Sequence, residues 1–108
     1  MTVARGILIV ESQPSDPSRK AEYDDWYSNV HIPHVCAVPG FVGAKRYRLR
    51  GTGGDAPAGS IAVYELEADD LDVPMQELRA WSAEGRVPLS DVLQLDPPPT
   101  VALYELIE

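Results

Sequence analysis

The sequence predicts an α+β fold in the order β-α-β-β-α-β, a four-stranded antiparallel sheet with two helices on one face. Three observations carry this expectation. A continuous apolar run near the start leads into an amphipathic helical stripe; two β-rich segments flank a glycine-rich loop; and a second helical stripe precedes a closing β segment. With 108 residues there is room for one modest core, so residues 1–108 are expected to form one domain.

The first element is "GILIV", Gly6 to Val10, an unbroken apolar run suited to a strand covered on both faces. "SQPSDPSRK" breaks it, and Asp16 before Pro17 suits an N-cap with proline in the first turn, where a missing N–H costs nothing. Tyr23, Trp26, Tyr27 and Val30 recur at i, i+3, i+4 and i+7, one apolar stripe with Glu22, Asp24, Asp25 and Ser28 off it. Pro33 disfavours helical geometry at Ile32 and removes a donor, so the regular helix should end or kink near His31.

Phe41 to Arg50 alternates as strand two, and "GTGGDAPAG" joins it to strand three, "SIAVYELE", as a hairpin connection in preference to a mobile lid. "DDLDVPMQELRAWSAEG" puts Leu71, Met75, Leu78 and Trp81 on one helical face, offers Asp70 or Asp72 as a cap and closes at Gly85. "RVPLSDVLQLDPPP" is a proline-bounded connection laid over the core, and "TVALYELIE" is strand four, a near echo of "IAVYELE". The order is that of the split βαβ, or ferredoxin-like, arrangement. Strands three and four are apolar at both parities: Ile61, Val63 and Val101, Leu103 against Ala62, Tyr64, Leu66 and Ala102, Tyr104, Leu106. Both sheet faces are therefore expected to be covered, and with no third layer in the chain the simplest cover is a second copy about a two-fold axis.

The charge of -8, from 17 acids against 9 bases, argues against a nucleic-acid binder, which needs a clustered basic surface. The one basic cluster, "KRYRLR" from Lys45 to Arg50, reads as the exposed row of a strand or as an anion contact. The single Cys36 can form no internal disulfide and fits a reducing cytosol. The N-terminus lacks a signal-peptide pattern and no apolar run approaches membrane-spanning length, so a cytoplasmic protein without membrane contact is expected.

The chemistry is concentrated in "EYDDWYSNVHIPHVCAVPGF", Glu22 to Phe41. Tyr23, Tyr27 and His31 are spaced by four and share one edge of the stripe. At a helix end the dipole favours the protonated imidazole of His31 while burial favours the neutral one, so a pKa near neutrality is expected. Two readings stand: a general base, or a histidine bonded to a strand or loop. His31 and His34 form an H-x-x-H pair, but two imidazoles across a proline are too few for a metal, and none is expected. Cys36, among Val35, Ala37 and Val38, reads as a small core residue in preference to a nucleophile. Trp26 and Trp81 read as core anchors or as stacking platforms. Tyr47, Tyr64 and Tyr104 carry phenols that need partners if buried and that can donate to a ligand carbonyl or enolate.

"EYDDWYSNVHIPHVCAVPGFVGAKRYRL" resembles the signature of the dimeric α/β-barrel superfamily, in particular its EthD-like branch: a W-Y pair, an H-(I/L/V)-P tripeptide, V-P-G-F and a strand with R-Y. The match covers about a quarter of the chain, and the tripeptide histidine falls on His31, the aromatic pair on Trp26 and Tyr27. His34 departs from the pattern, since similar sequences often carry an acid there. The resemblance implies a homodimer whose sheets close a shared barrel, each subunit with a pocket between sheet and helices. Members include polyketide cyclases, muconolactone isomerases, cofactor-free monooxygenases, dye peroxidases and haem-degrading enzymes.

The expectation that follows is a small cofactor-independent enzyme for an apolar carbonyl compound, a polyketide, lactone or aromatic catabolite. It removes a proton next to the carbonyl, leading to cyclisation, isomerisation or lyase cleavage. His31 moves the proton, with Tyr27 catalytic beside it; Trp26, His34, Tyr47, Tyr64, Tyr104 and Trp81 are expected to bind the substrate. The alternatives are a cofactor-free monooxygenase of a phenol or quinol, and a non-catalytic ligand-binding accessory protein.

Overall fold

The computed structural model describes residues 3–50 and 59–108. Four strands, β1 (Ala4–Ser12), β2 (Phe41–Arg48), β3 (Ser60–Ala68) and β4 (Thr100–Glu105), form one antiparallel sheet in the order β2-β3-β1-β4. This is the expected ferredoxin-like arrangement. The connecting loop expected as a hairpin falls at residues 51–58, outside the described residues, while the strands on either side of it are paired neighbours. Strand four is shorter than its apolar run, stopping at Glu105, although the Leu106 amide still donates to the Arg5 carbonyl at 2.7 Å.

Register sorts the residues by face. Leu8 lies opposite Tyr64 on β3 and Leu103 on β4, whereas Ile9 lies opposite Val63 and Ala102. Leu8, Ala62, Tyr64 and Leu66 point toward the helices and are buried in one core with Tyr23, Tyr27, Val35, Val38 and Phe41. On the other face Ile7, Ile9, Ile61, Val63, Ala102 and Tyr104 form an apolar surface that no element among the described residues covers, and Tyr104 is 56% exposed. A bulge between Phe41 and Gly43 shifts the parity of β2, so Phe41, Ala44 and Arg46 share the helix-facing side.

The first helical segment opens as expected, the Asp16 carboxylate accepting from the Ser18 amide at 2.8 Å beside Pro17. The expected break near His31 takes the form of an interruption in the regular helix, not its end. α1 (Lys20–Trp26) passes into a π turn (Tyr27–His31), and α2 (Ile32–Cys36) continues the same path. The Ile32 amide donates to the Tyr27 carbonyl, five residues back. In a regular α-helix the Pro33 ring would meet the carbonyl four residues earlier; the wider turn relieves that conflict. It also changes the buried stripe. Tyr23, Tyr27 and Val35 are buried, whereas Val30, expected on the stripe, is 39% exposed.

α3 (Asp72–Ala83) is capped by Asp70, whose carboxylate accepts from the Asp72 amide at 2.9 Å. It closes at Gly85, where φ is +78° and the Arg86 amide reaches the Trp81 carbonyl. Leu71 and Pro74 are buried, and Met75, Leu78 and Trp81 half-buried against the core. The proline-bounded connection runs over the core as expected, burying Val87, Val92 and Leu93 and pairing with residues 13–15.

Candidate active site

The π turn sets the histidine. It turns His31 back toward Trp26 and Tyr27: the imidazole stacks on the indole at 4.8 Å and meets the Tyr27 ring edge-on at 4.9 Å. Its Nδ1 is buried and has no hydrogen-bond partner among the described residues; the same holds for His34 Nδ1. Burial first, and the neighbouring His34 second, lower the His31 pKa from its usual 6.5 to about 4. The expectation of a pKa near neutrality is thus corrected: of the two opposing effects expected, burial prevails, and the helix runs on past His31 to Cys36. At neutral pH the ring is uncharged and able to accept a proton.

Behind it lies a buried phenol pair. The Tyr64 hydroxyl donates to the Tyr27 oxygen at 3.3 Å. Burial pushes both pKa values up, for Tyr64 with the help of the adjacent Tyr27, so both stay protonated. Burial also raises the Cys36 thiol pKa, which leaves it a poor nucleophile.

Next to the pair stands Arg46, from the basic cluster expected to be an exposed row or an anion contact. Lys45, Arg48 and Arg50 are exposed as a row would be, but Arg46 is turned inward: its side chain is 16% exposed, with the guanidinium carbon 4.8 Å from the Tyr27 ring centre and 5.3 Å from that of Tyr23. It donates to the Asp24 carboxylate at 2.9 Å, to Ser28 at 3.0 Å and to Ser60 at 2.8 Å. Burial acts to raise the Asp24 pKa, but hydrogen bonds from Lys20 and Arg46 outweigh it and hold the carboxyl ionised. The available signal was the bulge-shifted alternation Phe41, Ala44, Arg46, which needs the register of β2 to be read.

The residues expected to line one site do not all meet. His31, Trp26, Tyr27 and Tyr64 gather on the helix side of the sheet, with His34 close to His31. Tyr47 and Tyr104 belong to the opposite face, pairing across the sheet with Ile61 and Ile7, and cannot share a ligand oxygen with His31. Trp81 sits near the end of α3 with the Arg86 guanidinium 3.6 Å over its ring. Two cavities of about 550 Å³ open at opposite ends of the sheet, one beside Ser12, Tyr47 and Ser60, the other beside Ile7, Glu65 and Tyr104; neither includes His31. Among the described residues no group of three or more His, Cys, Asp or Glu side chains is placed to hold a metal ion, and no helix is long and apolar enough to cross a membrane.

No protein-family model and no curated relative matches the chain. Solved structures do. An EthD-family protein of Bacillus halodurans superposes with a TM-score of 0.58 at 22% identity, over 96% of this chain and 99% of that one. The chain has the EthD-type fold. An EthD-like protein of Ralstonia eutropha matches at 0.57 and 17% identity, over 95% of this chain and 94% of its own. The ActVA-Orf6 monooxygenase of Streptomyces coelicolor, solved with nanaomycin D, matches at 0.60 and 20% identity, over 95% and 88%. At these identities the likeness is one of fold, and EthD-type folds carry more than one chemistry.

Proposed function

We propose that this chain is a small oxygenase of electron-rich hydroxyarenes in which the substrate itself reduces dioxygen. The observation that carries this reading is the His31 imidazole, kept neutral by burial, clamped by Trp26 and Tyr27 and left with an unpaired Nδ1. The π turn that presents it adds support, since such turns concentrate at functional sites. Of the reactions expected from the sequence, loss of an acidic phenolic or enolic proton suits a base of this strength better than removal of a ketone α-proton before cyclisation, isomerisation or lyase cleavage. The fold shared with the ActVA-Orf6 monooxygenase points the same way.

In this scheme a hydroxyanthrone-type methylene is oxidised to a carbonyl. His31 accepts the ionisable proton, the resulting anion transfers electrons to dioxygen, and one oxygen atom enters the new carbonyl while the other leaves as water. Tyr27 acts as a positioning residue, fixing the imidazole with its ring. The working form is a homodimer with the open apolar sheet faces together, so sedimentation equilibrium should return twice the mass of the chain.

With 1,8-dihydroxy-9-anthrone in an oxygen electrode, uptake above the spontaneous rate is expected, with one dioxygen consumed per quinone formed. Absence of catalysed uptake across a panel of hydroxyanthrones and naphthols would refute the oxygenase. One observation favours a second reading, a non-catalytic binding protein: neither cavity includes His31. An unchanged small molecule recovered from the purified protein, with no turnover, would select it.

A further inference from the structure

Arg46 reaches from β2 to the first helix where the π turn begins, and the use of its donors decides what it can do. One terminal nitrogen donates to the Asp24 carbonyl at 3.3 Å and to Ser28 Oγ at 3.0 Å; the other donates to the Asp24 carboxylate at 2.9 Å and to Ser60 Oγ at 2.8 Å. These four bonds use all four terminal N–H groups. The remaining donor, Nε–H, is buried and meets no acceptor among the described residues, and the Tyr27 and Tyr23 rings flank the guanidinium. No terminal N–H is left for a substrate anion, so Arg46 acts through the protein.

Its partners fall on both sides of the core. Asp24 belongs to α1, Ser28 lies inside the π turn and Ser60 opens β3. Ser60 extends the tie through a hydroxyl chain: its Oγ lies 2.7 Å from the Tyr23 hydroxyl, which lies 2.8 Å from Ser12 Oγ on β1. One guanidinium thus fastens the turn to the sheet. Tyr27, under that guanidinium, is also the ring that meets His31 edge-on. Pro33 disfavours the regular helical spacing but does not fix where the wider turn docks.

We infer that Arg46 is a positioning residue that docks the π turn on the sheet and so holds His31 against Trp26 and Tyr27, away from solvent. The inference rests on the proposed reaction only for its effect on turnover; the docking stands without it. Lysine is no substitute, because one ammonium nitrogen cannot reproduce a planar fork that serves Asp24, Ser28 and Ser60 together. The groups facing the guanidinium are Asp24, which Lys20 also pairs at 2.6 Å, and the Tyr23 and Tyr27 phenols; those facing His31 are Tyr27 and His34.

The test is an imidazole NMR titration of the full chain, which reads His31 without any substrate. From about pH 8 to about 5.5 the native His31 signals should stay still, as a pKa lowered to about 4 by burial requires. In Arg46→Lys and Arg46→Met, solvent reaches the loosened turn, and the His31 pKa should rise by about one unit or more toward its ordinary value, so the signals move within that window. Ser28→Ala, which removes only the contact inside the turn, should give a smaller rise, and with Ser60→Ala it supplies the same readout if the Arg46 variants do not fold. Gly85→Ala, a destabilising change at the end of α3, should leave His31 unmoved. A native His31 that titrates at the ordinary value, folded Arg46 variants with the native His31 pKa, serine variants without a shift, or an equal rise in Gly85→Ala would each overturn the inference. Failure of the oxygenase reading shows separately, as absent oxygen uptake by the native chain with these shifts intact.

Discussion

His31→Ala is expected to lower turnover of a hydroxyarene substrate by about 10²- to 10⁴-fold, the usual worth of a positioned general base. The sheet and its buried tyrosines should survive, because the imidazole stacks against Trp26 and Tyr27 without a hydrogen bond from Nδ1 to the core. The pH profile separates a base from a mere spacer. A histidine with its ordinary pKa would lose activity as pH falls through about 6.5. With its pKa lowered to about 4, His31 stays neutral, and kcat/KM should be flat from about pH 8 down to about 5.5 before declining. Full activity in His31→Ala, or a fall centred on the ordinary value, would remove the imidazole from the mechanism.

Gly40→Ala should cost about 2–5 kcal/mol of stability, combining a left-handed backbone with overpacking. The glycine sits at φ +96°, and a Cβ built there falls 2.5 Å from Pro74 Cγ and 2.9 Å from Pro74 Cβ. Its carbonyl accepts from the Glu67 amide at 2.9 Å, so the turn has little freedom to retreat. Gly85→Ala supplies the comparison: φ is +78° but nothing lies within 4 Å, and only the conformational cost of about 1–2 kcal/mol is expected. In urea the midpoint of Gly40→Ala should fall well below that of Gly85→Ala. Equal midpoints would show that the Pro74 contact relaxes freely.

What was legible in the sequence was what local chemistry determines. The Asp16 cap, the stripe of Tyr23 and Tyr27 and the stop at Gly85 each depend on neighbours within a few residues. An unbroken apolar run marked β1 and alternation marked β2, while apolar residues at both parities of strands three and four gave the open apolar face. What could not be read depends on register. Tyr47 and Tyr104 were grouped with His31 because tyrosines alone carry no face; pairing puts them across the sheet. Arg46 looked like one basic residue in a row, until the β2 bulge turned it inward over two tyrosine rings. Pro33 argued for a helix end, and a pattern search at a period of 3.6 residues has no place for a turn with a longer one. The hydroxyl chain joins residues up to 48 positions apart, Ser12 to Ser60 through Tyr23, and no local motif marks it.

The wide turn between Tyr27 and His31 divides one continuous rod into two independently phased halves. Upstream, angular position is dictated by aromatic packing; downstream, it is reset by the extra backbone slack. His31, at the downstream edge of this seam between the halves, is swung back onto Trp26 and Tyr27, a placement that a uniform coil could not provide.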